Sequence, residues 1–326
     1  MVKVFYHNDP DGWCSAYWVR KHLEKEQIQF TDTDFIEMNY DKKFPMDIIK
    51  SGEKVFIVDF SVEPTQMAEL MAITGEIGNI TWIDHHKTAI EKYNDFPVII
   101  KGIRHDGTAA CALTWLYFHG VKSGKFKLEN ITTGDKVTEE YVTTDTNKIV
   151  FIKYTWEFAP LFTQYIHLWD TWQWKNEDYL KRHNIESFIV ALTAYQGFSD
   201  PLGDIWNKIN GRDSKDYLNP VIGAGKSMLY FRDRYGKICC DSIGKIVEFE
   251  GYRCFVCNMP KCNSEWFKSV DPSTYDILMP FYYNAQTEQF CFSLYSDKID
   301  VSKIAVKYGG GGHFGASGFQ CKQLPF

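Results

Sequence analysis

Near its amino terminus the chain reads Val2-Lys3-Val4-Phe5-Tyr6-His7-Asn8-Asp9-Pro10-Asp11-Gly12, a short β-rich run that ends in a polar turn. Residues 14–26 then carry apolar side chains at helical spacing, with Ala16, Val19 and Leu23 on one side. A strand, a polar loop and a helix in this order form one unit of an α/β protein. We therefore expect a sheet whose strands alternate with helices.

Two further apolar runs follow the same plan. Residues 55–58 form a continuous apolar run that ends in Asp59, and a helical pattern follows over 65–73. Ile80–Ile83 forms another run of the same kind, which ends in Asp84. This alternation predicts an α/β fold with a mostly parallel sheet flanked by helices. Sites in such sheets form outside the carboxyl ends of the strands.

The pattern changes along the rest of the chain. Residues 122–147 are polar and are predicted to form a hairpin or a surface insertion, and a turn is expected at 213–219 before a helix at about 224–236. From Lys245 onward β-like runs dominate. We predict a first domain at 1–215 that carries the strand-end residues, a linker helix at 216–240, and a second, smaller α+β domain at 241–326.

Composition restricts the classes of function. The 326 residues are 44% hydrophobic and 16% aromatic, which is enough to bury real cores. A net charge of −6 argues against a protein that coats long duplex nucleic acid, because such binding requires a basic surface. No apolar run approaches the roughly 18 residues of a membrane helix, no signal peptide is evident, and nine irregularly spaced cysteines fit reduced thiols. We therefore expect a cytoplasmic globular protein without membrane contact.

The turn after the first predicted strand has the residue types of a metal site. His7, Asp9 and Asp11 alternate with a spacing of two, so their side chains can project toward one side of an extended segment. Carboxylate oxygens suit hard divalent cations, and an imidazole beside them shifts the preference toward manganese, iron or zinc over calcium. The alternative is a polar turn in which Asp9 and Asp11 make ordinary turn hydrogen bonds.

The next two strand ends carry similar chemistry. Asp59 ends a predicted buried strand, where an ionised carboxylate is costly without a cation or several donors. Asp84-His85-His86 ends another, and its two histidines can divide metal ligation and phosphate binding between them. Alternatively, Asp59 caps the turn before Ser61, and the histidine pair lies in a solvated loop. Acidic or histidine residues at three successive strand ends favour a shared site.

These motifs resemble those of the DHH phosphoesterases. His7-Asn8-Asp9-Pro10-Asp11-Gly12, Asp59 and Asp84-His85-His86 are similar to the first three motifs of that family, and Leu168-Trp169-Asp170-Thr171-Trp172 is similar to the fourth. The segment from Gly309 to Gly318 resembles the signature of the DHH-associated substrate domain. The resemblance covers nearly the whole chain, with its motifs in the family's order. It implies two manganese ions at the carboxyl edge of the sheet and a small domain that closes over the cleft to hold the substrate.

The resemblance also implies a role for each residue of the site. His7 and Asp9 would bind one metal ion, Asp11, His85 and Asp170 would bind the other, and Asp59 would bridge both. Asp84 would orient the site from behind the ligands, and His86 would contact the scissile phosphate, so that these two are the expected catalytic residues beside the metal ligands. The implied reaction is phosphoester hydrolysis by two-metal activation of water.

The expected substrate contacts rest on the glycine-rich segment and on one arginine. Gly310, Gly311 and Gly312 with His313 are predicted to form an anion-binding nest, and composition alone would instead favour a flexible linker. Arg104 is a candidate phosphate contact from the first domain, with a surface arginine as the alternative. Many relatives carry an arginine where this chain has Tyr295, which leaves the grip on the distal part of the substrate open.

Three cysteines near the start of the second domain allow two interpretations, a zinc site or a buried strand. Cys254-x-x-Cys257 with Cys262 has some zinc-ligand character, but the chain lacks a second paired cluster. Cys254-Phe255-Val256 fits a buried strand instead. We therefore predict no zinc site at these cysteines.

The leading hypothesis for the function is a manganese-dependent hydrolase of short phosphodiesters or nucleotide phosphates. Short oligonucleotides, cyclic or linear dinucleotides and nucleoside 3′,5′-bisphosphates all remain candidate substrates. The alternatives are a single-strand-specific exonuclease and, in another class, a nucleotide-binding sensor with an inactive site. The oligomeric state is open, although relatives in this family are often dimers.

Overall fold

The computed structural model describes residues 1–40, 42–120, 159–211 and 214–326, together with three two-residue strands between 128 and 152. The insertion predicted at 122–147 lies outside the described residues except for two of these short strands. The chain divides into two compact units, Met1–Lys226 and Ser227–Phe326. Within the described part of the chain, every helix is too short or too polar to cross a membrane.

The first unit is built on a parallel sheet flanked by helices, as predicted. Its main strands are β1 (Val2–His7), β2 (Phe35–Met38), β3 (Lys54–Val58) and β4 (Ile80–Ile83), in the order β2-β1-β3-β4. The short strands β5 (Leu128–Glu129), β6 (Lys136–Val137) and β7 (Phe151–Ile152) form a separate antiparallel sheet. The helices are α1 (Pro10–Lys25), α2 (Pro64–Thr74), α3 (Lys87–Glu91), α4 (Ala110–Trp115), α5 (Leu161–Asp170), α6 (Tyr179–Ala194) and α7 (Asp204–Asn210). A π-helical turn at Leu116–Gly120 follows α4.

The parallel register brings the strand ends to one edge of the sheet. Tyr6 pairs with Val58 and Val58 pairs with Ile83, so β1, β3 and β4 end at the same level. Beyond β4, an isolated parallel bridge joins Asp84 to Arg104 and extends the sheet by one more segment. Residues that follow these strands therefore emerge close together, as expected for an open α/β sheet.

Helix α1 begins where the first motif lies. Asp9 is its N-cap, and the Asp9 side chain accepts a hydrogen bond from the backbone N–H of Gly12 at 2.9 Å. Pro10 occupies the first helical position, where its missing N–H and fixed φ cost nothing. Sequence-local capping therefore holds Asp9 and Asp11 at the edge of the sheet.

Gly12 allows α1 to pack directly against the end of β1. A Cβ at this position would lie 2.0 Å from the carbonyl oxygen of His7, so the helix or the strand would have to move. We expect Gly12→Ala to destabilise the protein by about 3 kcal/mol, because overpacking against a backbone cannot be relieved by a rotamer change. Chemical denaturation of the variant measures this loss. Gly223→Ala in the helix at 214–243 is the matched control, since its Cβ would meet nothing within 4 Å; equal losses in both variants would contradict the packing explanation.

The turn predicted at 213–219 is wrong. Helix α8 (Ser214–Ile243) begins at Ser214 and contains Pro220. Leu218, Val221 and Ile222 are buried at helical spacing, and this burial outweighs the local preference of the proline for a break. Helix α8 continues across the boundary between the two units at residues 226 and 227.

The second unit is the smaller α+β domain that was predicted. It consists of β8 (Lys245–Phe249), β9 (Tyr252–Asn258), β10 (Ile277–Asn284), β11 (Gln289–Tyr295), β12 (Gly311–His313), β13 (Ala316–Cys321) and helix α9 (Val301–Lys307). The strand order is β12-β13-β11-β10-β9-β8, with β9 and β10 parallel and the remaining neighbours antiparallel. Short 3-10 helices complete the chain at Asp32–Asp34, Met46–Ile48, Ile77–Asn79, Gln173–Asn176, Gln196–Phe198 and Ser264–Phe267.

The cysteines of β9 lie on opposite faces of this sheet. Cys254 packs with Val256 in the cluster that includes α9, whereas Cys257 packs with Cys262 in the cluster on the other face. Cys254 and Cys257 therefore do not converge on one metal ion, in agreement with the prediction that they are strand residues.

The glycine-rich segment is a strand and not a flexible linker. Gly311, Gly312 and His313 pair with Gly318, Ser317 and Ala316 of β13, and β12 is the edge strand of the sheet. A Cβ at Gly310 would lie 2.1 Å from the carbonyl oxygen of Gly318, so only glycine fits this approach of two backbones.

Candidate metal centre

The ligand atoms of the strand-end residues converge into three groups. His7, Asp9 and Asp59 form the first group, Asp11, His85 and Asp170 form the second, and Asp59, His85 and His86 form the third. Within each group the candidate ligand atoms lie within 4.8 Å of one another. The structure thus brings together all the residues that the sequence nominated as metal ligands.

The first group is organised around the end of β1. His7 Nδ1 lies 2.8 Å from an oxygen of Asp9 and 3.9 Å from an oxygen of Asp59. The Asp9 carboxylate has two functions, since its other oxygen caps α1 through Gly12. The pKa of Asp9 is lowered because these hydrogen bonds outweigh the effect of burial, which would raise it. Asp9 is therefore available as an ionised ligand.

The second group centres on His85. Its Nε2 lies 3.5 Å from Asp11, 3.3 Å from Asp59 and 3.3 Å from Asp170. Asp170 is the last residue of α5 and so reaches this site from a helix end and not from a strand end. Three carboxylates around one imidazole nitrogen form a set of oxygen and nitrogen donors suited to a divalent cation.

Asp59 belongs to two of the groups and has an unusual environment. Its carboxylate oxygens are buried and accept no hydrogen bond from the described residues, and its backbone φ is +52°. Burial, together with the charges of Asp11, Asp9 and Asp170, raises the pKa of Asp59 well above its usual range. A buried carboxylate without donors is costly unless a cation pairs with it. This observation supports the fit between the site and divalent metal ions.

Asp11 is held from a distant part of the chain. Its two oxygens accept hydrogen bonds from the backbone N–H groups of Ala110 at 2.8 Å and Cys111 at 2.7 Å, the first residues of α4. Free N–H groups at a helix start favour a carboxylate. Sequence reasoning missed this contact, since nothing in the sequence pairs residue 11 with residues 110 and 111.

Asp84 is a buried acceptor that orients the histidine pair. It accepts hydrogen bonds from the backbone of His85 at 2.7 Å and from Nδ1 of His86 at 2.7 Å. Ser61 also donates its hydroxyl to Asp84, and Trp82 Nε1 donates to Ser61 at 3.2 Å. The sequence gives no sign of this role for Ser61, because its hydrogen bond to Asp84 joins residues that are 23 positions apart.

The contact between Asp84 and His86 shifts the pKa values of both residues. Burial alone would lower the pKa of His86, but the hydrogen bond and charge of Asp84 raise it to about 9. Burial would raise the pKa of Asp84, but the contacts with His86 and Ser61 lower it. Because Nδ1 of His86 is engaged by Asp84, its other ring nitrogen remains for a ligand.

Arg104 is buried, whereas the sequence predicted either a phosphate contact or a surface arginine. It is 2% exposed, and its two terminal nitrogens donate to the backbone carbonyls of Trp82 and Ile100, each at 2.8 Å. The guanidinium also lies 4.9 Å from the centre of the Trp82 ring. The assignment of Arg104 as a phosphate contact or as a surface arginine is corrected accordingly: it is a buried residue that ties the last sheet segment to β4.

The predicted substrate residues of the second unit lie at one edge of its sheet. Gly310 precedes the edge strand β12, and Gly311, Gly312 and His313 form it. Tyr295, at the position where relatives often carry arginine, is half-buried, and its hydroxyl donates to the carbonyl of Cys262 at 3.4 Å. Tyr295 therefore has an internal partner in this unit.

The chain thus places the motifs that resemble those of the DHH phosphoesterases at three strand ends and at the end of α5. It is similar to the oligoribonuclease NrnB of Bacillus subtilis, with 20% identity over 98% of this chain and 72% of that protein. The solved structure of the pGpG-specific phosphodiesterase PggH from Vibrio cholerae superposes with a TM-score of 0.50 at 12% identity, over 98% of this chain and 93% of that one. At this identity the structural likeness concerns the fold. No family model matches the chain.

Metal binding should change the thermal stability of the protein in a pH-dependent way. Without metal, the raised pKa values of Asp59 and Asp170 favour the folded state at low pH, and this contribution is lost as the pH rises through them. A bound cation keeps both carboxylates ionised without that loss. We expect saturating Mn²⁺ to raise the Tm by about 5 °C, and by more at pH 8 than at pH 5. Differential scanning fluorimetry with Mn²⁺ or a chelator measures the shift, and equal Tm values at pH 8 would contradict it.

Proposed function

We propose that the protein is a manganese-dependent phosphodiesterase that hydrolyses short oligonucleotides or dinucleotides. The observation that carries the proposal is the buried carboxylate of Asp59, whose oxygens accept no hydrogen bond from the described residues and which belongs to two groups of candidate ligand atoms at the carboxyl edge of a parallel sheet. A carboxylate in this position fits a bridge between two cations. Two-metal sites of this kind serve phosphoester hydrolysis.

Two groups of residues are assigned to the two metal ions. His7, Asp9 and Asp59 would hold one cation, and Asp11, His85 and Asp170 would hold the other. Asp59, which also forms a group with His85, would be shared between them. When bound, the two divalent ions supply Lewis acidity toward the phosphate and lower the pKa of a water molecule. The protein residues keep the ligand atoms at fixed positions, through the α4 N–H groups on Asp11 and the α1 cap on Asp9.

His86 is assigned the contact with the scissile phosphate. Asp84 engages its Nδ1 at 2.7 Å and stabilises the protonated ring, so the opposite nitrogen carries a proton that it donates to a phosphate oxygen. Such a donor stabilises the charge that develops on phosphate oxygens in the transition state. Asp84 acts through His86 and His85 and is a positioning residue.

Short substrates fit the remaining observations. The net charge of −6 does not suit long polyanions. The named relative acts as an oligoribonuclease and the structural neighbour as a pGpG-specific phosphodiesterase, and both names support a short nucleic acid as the substrate class. Gly310–Gly312 and His313 are assigned to the substrate on the second unit, because an edge strand leaves part of its backbone N–H groups outside the ladder.

A hydrolysis panel tests the proposal. Purified protein with Mn²⁺ is incubated with linear dinucleotides, single strands of increasing length, cyclic dinucleotides and nucleoside 3′,5′-bisphosphates. We expect linear dinucleotides and the shortest strands to be cleaved fastest. Processive cleavage of long strands alone would favour the exonuclease alternative, and binding without cleavage of any substrate would favour the inactive sensor.

A further inference from the structure

A stack of three aromatic rings leads from the core of the first unit to the metal centre. Phe44 and Phe60 are buried, at 3% and 4% exposure, and their rings are stacked at 6.4 Å with planes 12° apart. Tyr40 stacks on Phe60 at 4.8 Å and 25°, yet it is 57% exposed. The stack therefore ends in Tyr40, which packs on Phe60 and is exposed to solvent.

The position of Tyr40 follows from the sheet. It lies two residues after the end of β2, which is paired with β1 so that Met38 is opposite His7. Phe60 follows the candidate bridging residue Asp59 directly. The carboxyl ends of β2, β1 and β3 thus place Tyr40 at the same edge as the ligands.

Tyr40 also lies close to two residues of the site. The centre of its ring is 5.6 Å from that of His7 and 6.1 Å from that of His86. The plane of the Tyr40 ring is tilted by 49° to that of His7 and by 77° to that of His86, so neither imidazole is stacked on the tyrosine. Among the described residues, Phe60 is the ring stacked on Tyr40, and more than half of the tyrosine surface remains exposed to solvent.

We propose that Tyr40 is a nucleobase-stacking residue, so that the substrates are phosphoesters that carry a base one sugar away from the scissile phosphate. The inference rests on the proposed function and narrows its substrate class. A phosphate held beside His7 and His86 places the attached nucleoside near this ring. Stacking on an aromatic side chain is largely independent of base identity, whereas inorganic polyphosphates and simple alkyl phosphates have no group for Tyr40 to bind.

A double-mutant cycle between protein and substrate tests the proposal. The substrates are a 5′-phosphorylated dinucleotide and two analogues in which one nucleoside is replaced by an abasic tetrahydrofuran residue. We expect Tyr40→Ala to raise KM for the full dinucleotide about 10- to 100-fold, as expected from typical base-stacking energies, with little change in kcat. One of the two abasic analogues lacks the base that stacks on Tyr40. For that analogue, the wild type and Tyr40→Ala should have the same KM.

Two further variants separate stacking from other roles. Tyr40→Phe keeps the ring and should retain the KM of the wild type. Tyr179→Ala removes an exposed tyrosine whose stacking partner is His183, outside the metal ligands, and should change nothing. The Mn²⁺-dependent Tm shift of Tyr40→Ala should equal that of the wild type, because the ring is not a ligand. An equal loss on the full and both abasic substrates, or no loss at all, would overturn the proposal.

A binding measurement keeps this inference distinct from the proposed function. A 2-aminopurine dinucleotide with a hydrolysis-resistant phosphorothioate linkage reports stacking through fluorescence quenching. We expect quenching with the wild type and Tyr40→Phe and its loss with Tyr40→Ala. If the wild type cleaves no phosphoester, the proposed function fails, and the quenching still decides the role of Tyr40: equal quenching with Tyr40→Ala would refute it.

Discussion

Asp59→Asn is expected to lower kcat/KM for phosphodiester hydrolysis by about 1,000-fold, since losing several kcal/mol of metal-dependent stabilisation corresponds to that factor. The carboxylate belongs to two groups of candidate ligand atoms, and its oxygens accept no hydrogen bond from the described residues. Asparagine has nearly the same volume but cannot bridge two cations as an anion. Initial rates with a short substrate and a titration with Mn²⁺ measure the effect.

The same variant has an expected effect on stability that does not depend on activity. In the metal-free protein the ionised Asp59 is repelled by Asp9, Asp11 and Asp170. Removal of its charge should therefore raise the Tm of the metal-free protein at pH 8 while reducing the gain from Mn²⁺. Asp32→Asn, at an exposed position, is the matched control and should behave as the wild type. Wild-type activity in Asp59→Asn would rule out the bridging role.

His86→Gln is expected to reduce kcat about 100- to 1,000-fold, the usual loss when a donor to a developing oxyanion is removed. The six proposed metal ligands remain in place, so the Mn²⁺-dependent Tm shift should stay close to that of the wild type. Glutamine retains hydrogen-bonding capacity but loses the positive charge that Asp84 stabilises. Steady-state kinetics at saturating metal measure the loss, and a variant that lost metal binding instead would make His86 a ligand.

The pH dependence of the reaction offers a test of Asp84 through His86. Because the hydrogen bond and charge of Asp84 raise the pKa of His86, the ring stays protonated to higher pH than an ordinary histidine. Asp84→Asn should lower this pKa and move the alkaline decline in activity to lower pH, with a loss of about 10- to 100-fold at neutral pH. An unchanged alkaline limb would mean that another group controls it.

The sequence was sufficient for the parts of the fold that depend on local pattern. Alternating apolar runs and helical periods predicted the parallel sheet, and strand ends with Asp59 and Asp84 predicted the edge at which the ligands meet. The structure adds the contacts that require distant segments. Asp11 meets the start of α4 across about 100 positions of sequence, as the Cys111 contact illustrates, and no period or motif encodes such a pairing.

The errors have a common physical cause. The local pattern predicted Arg104 as a phosphate contact or a surface arginine, and it predicted a turn at 213–219, directly before Pro220. In the folded chain, the two terminal nitrogens of the buried Arg104 guanidinium donate to the backbone carbonyls of Trp82 and Ile100, and buried neighbours keep α8 continuous through the proline. Tertiary packing decided both cases, and it is the information that a single sequence lacks.

The backbone at residue 59 favours a small set of residues. In a left-handed conformation glycine, asparagine and aspartate are less strained than other residues, so a φ of +52° favours these three. Of the three, aspartate alone supplies a carboxylate. A change to asparagine or glycine would therefore keep the backbone conformation and remove the proposed chemistry, so the residue at position 59 helps to distinguish active homologues from inactive ones.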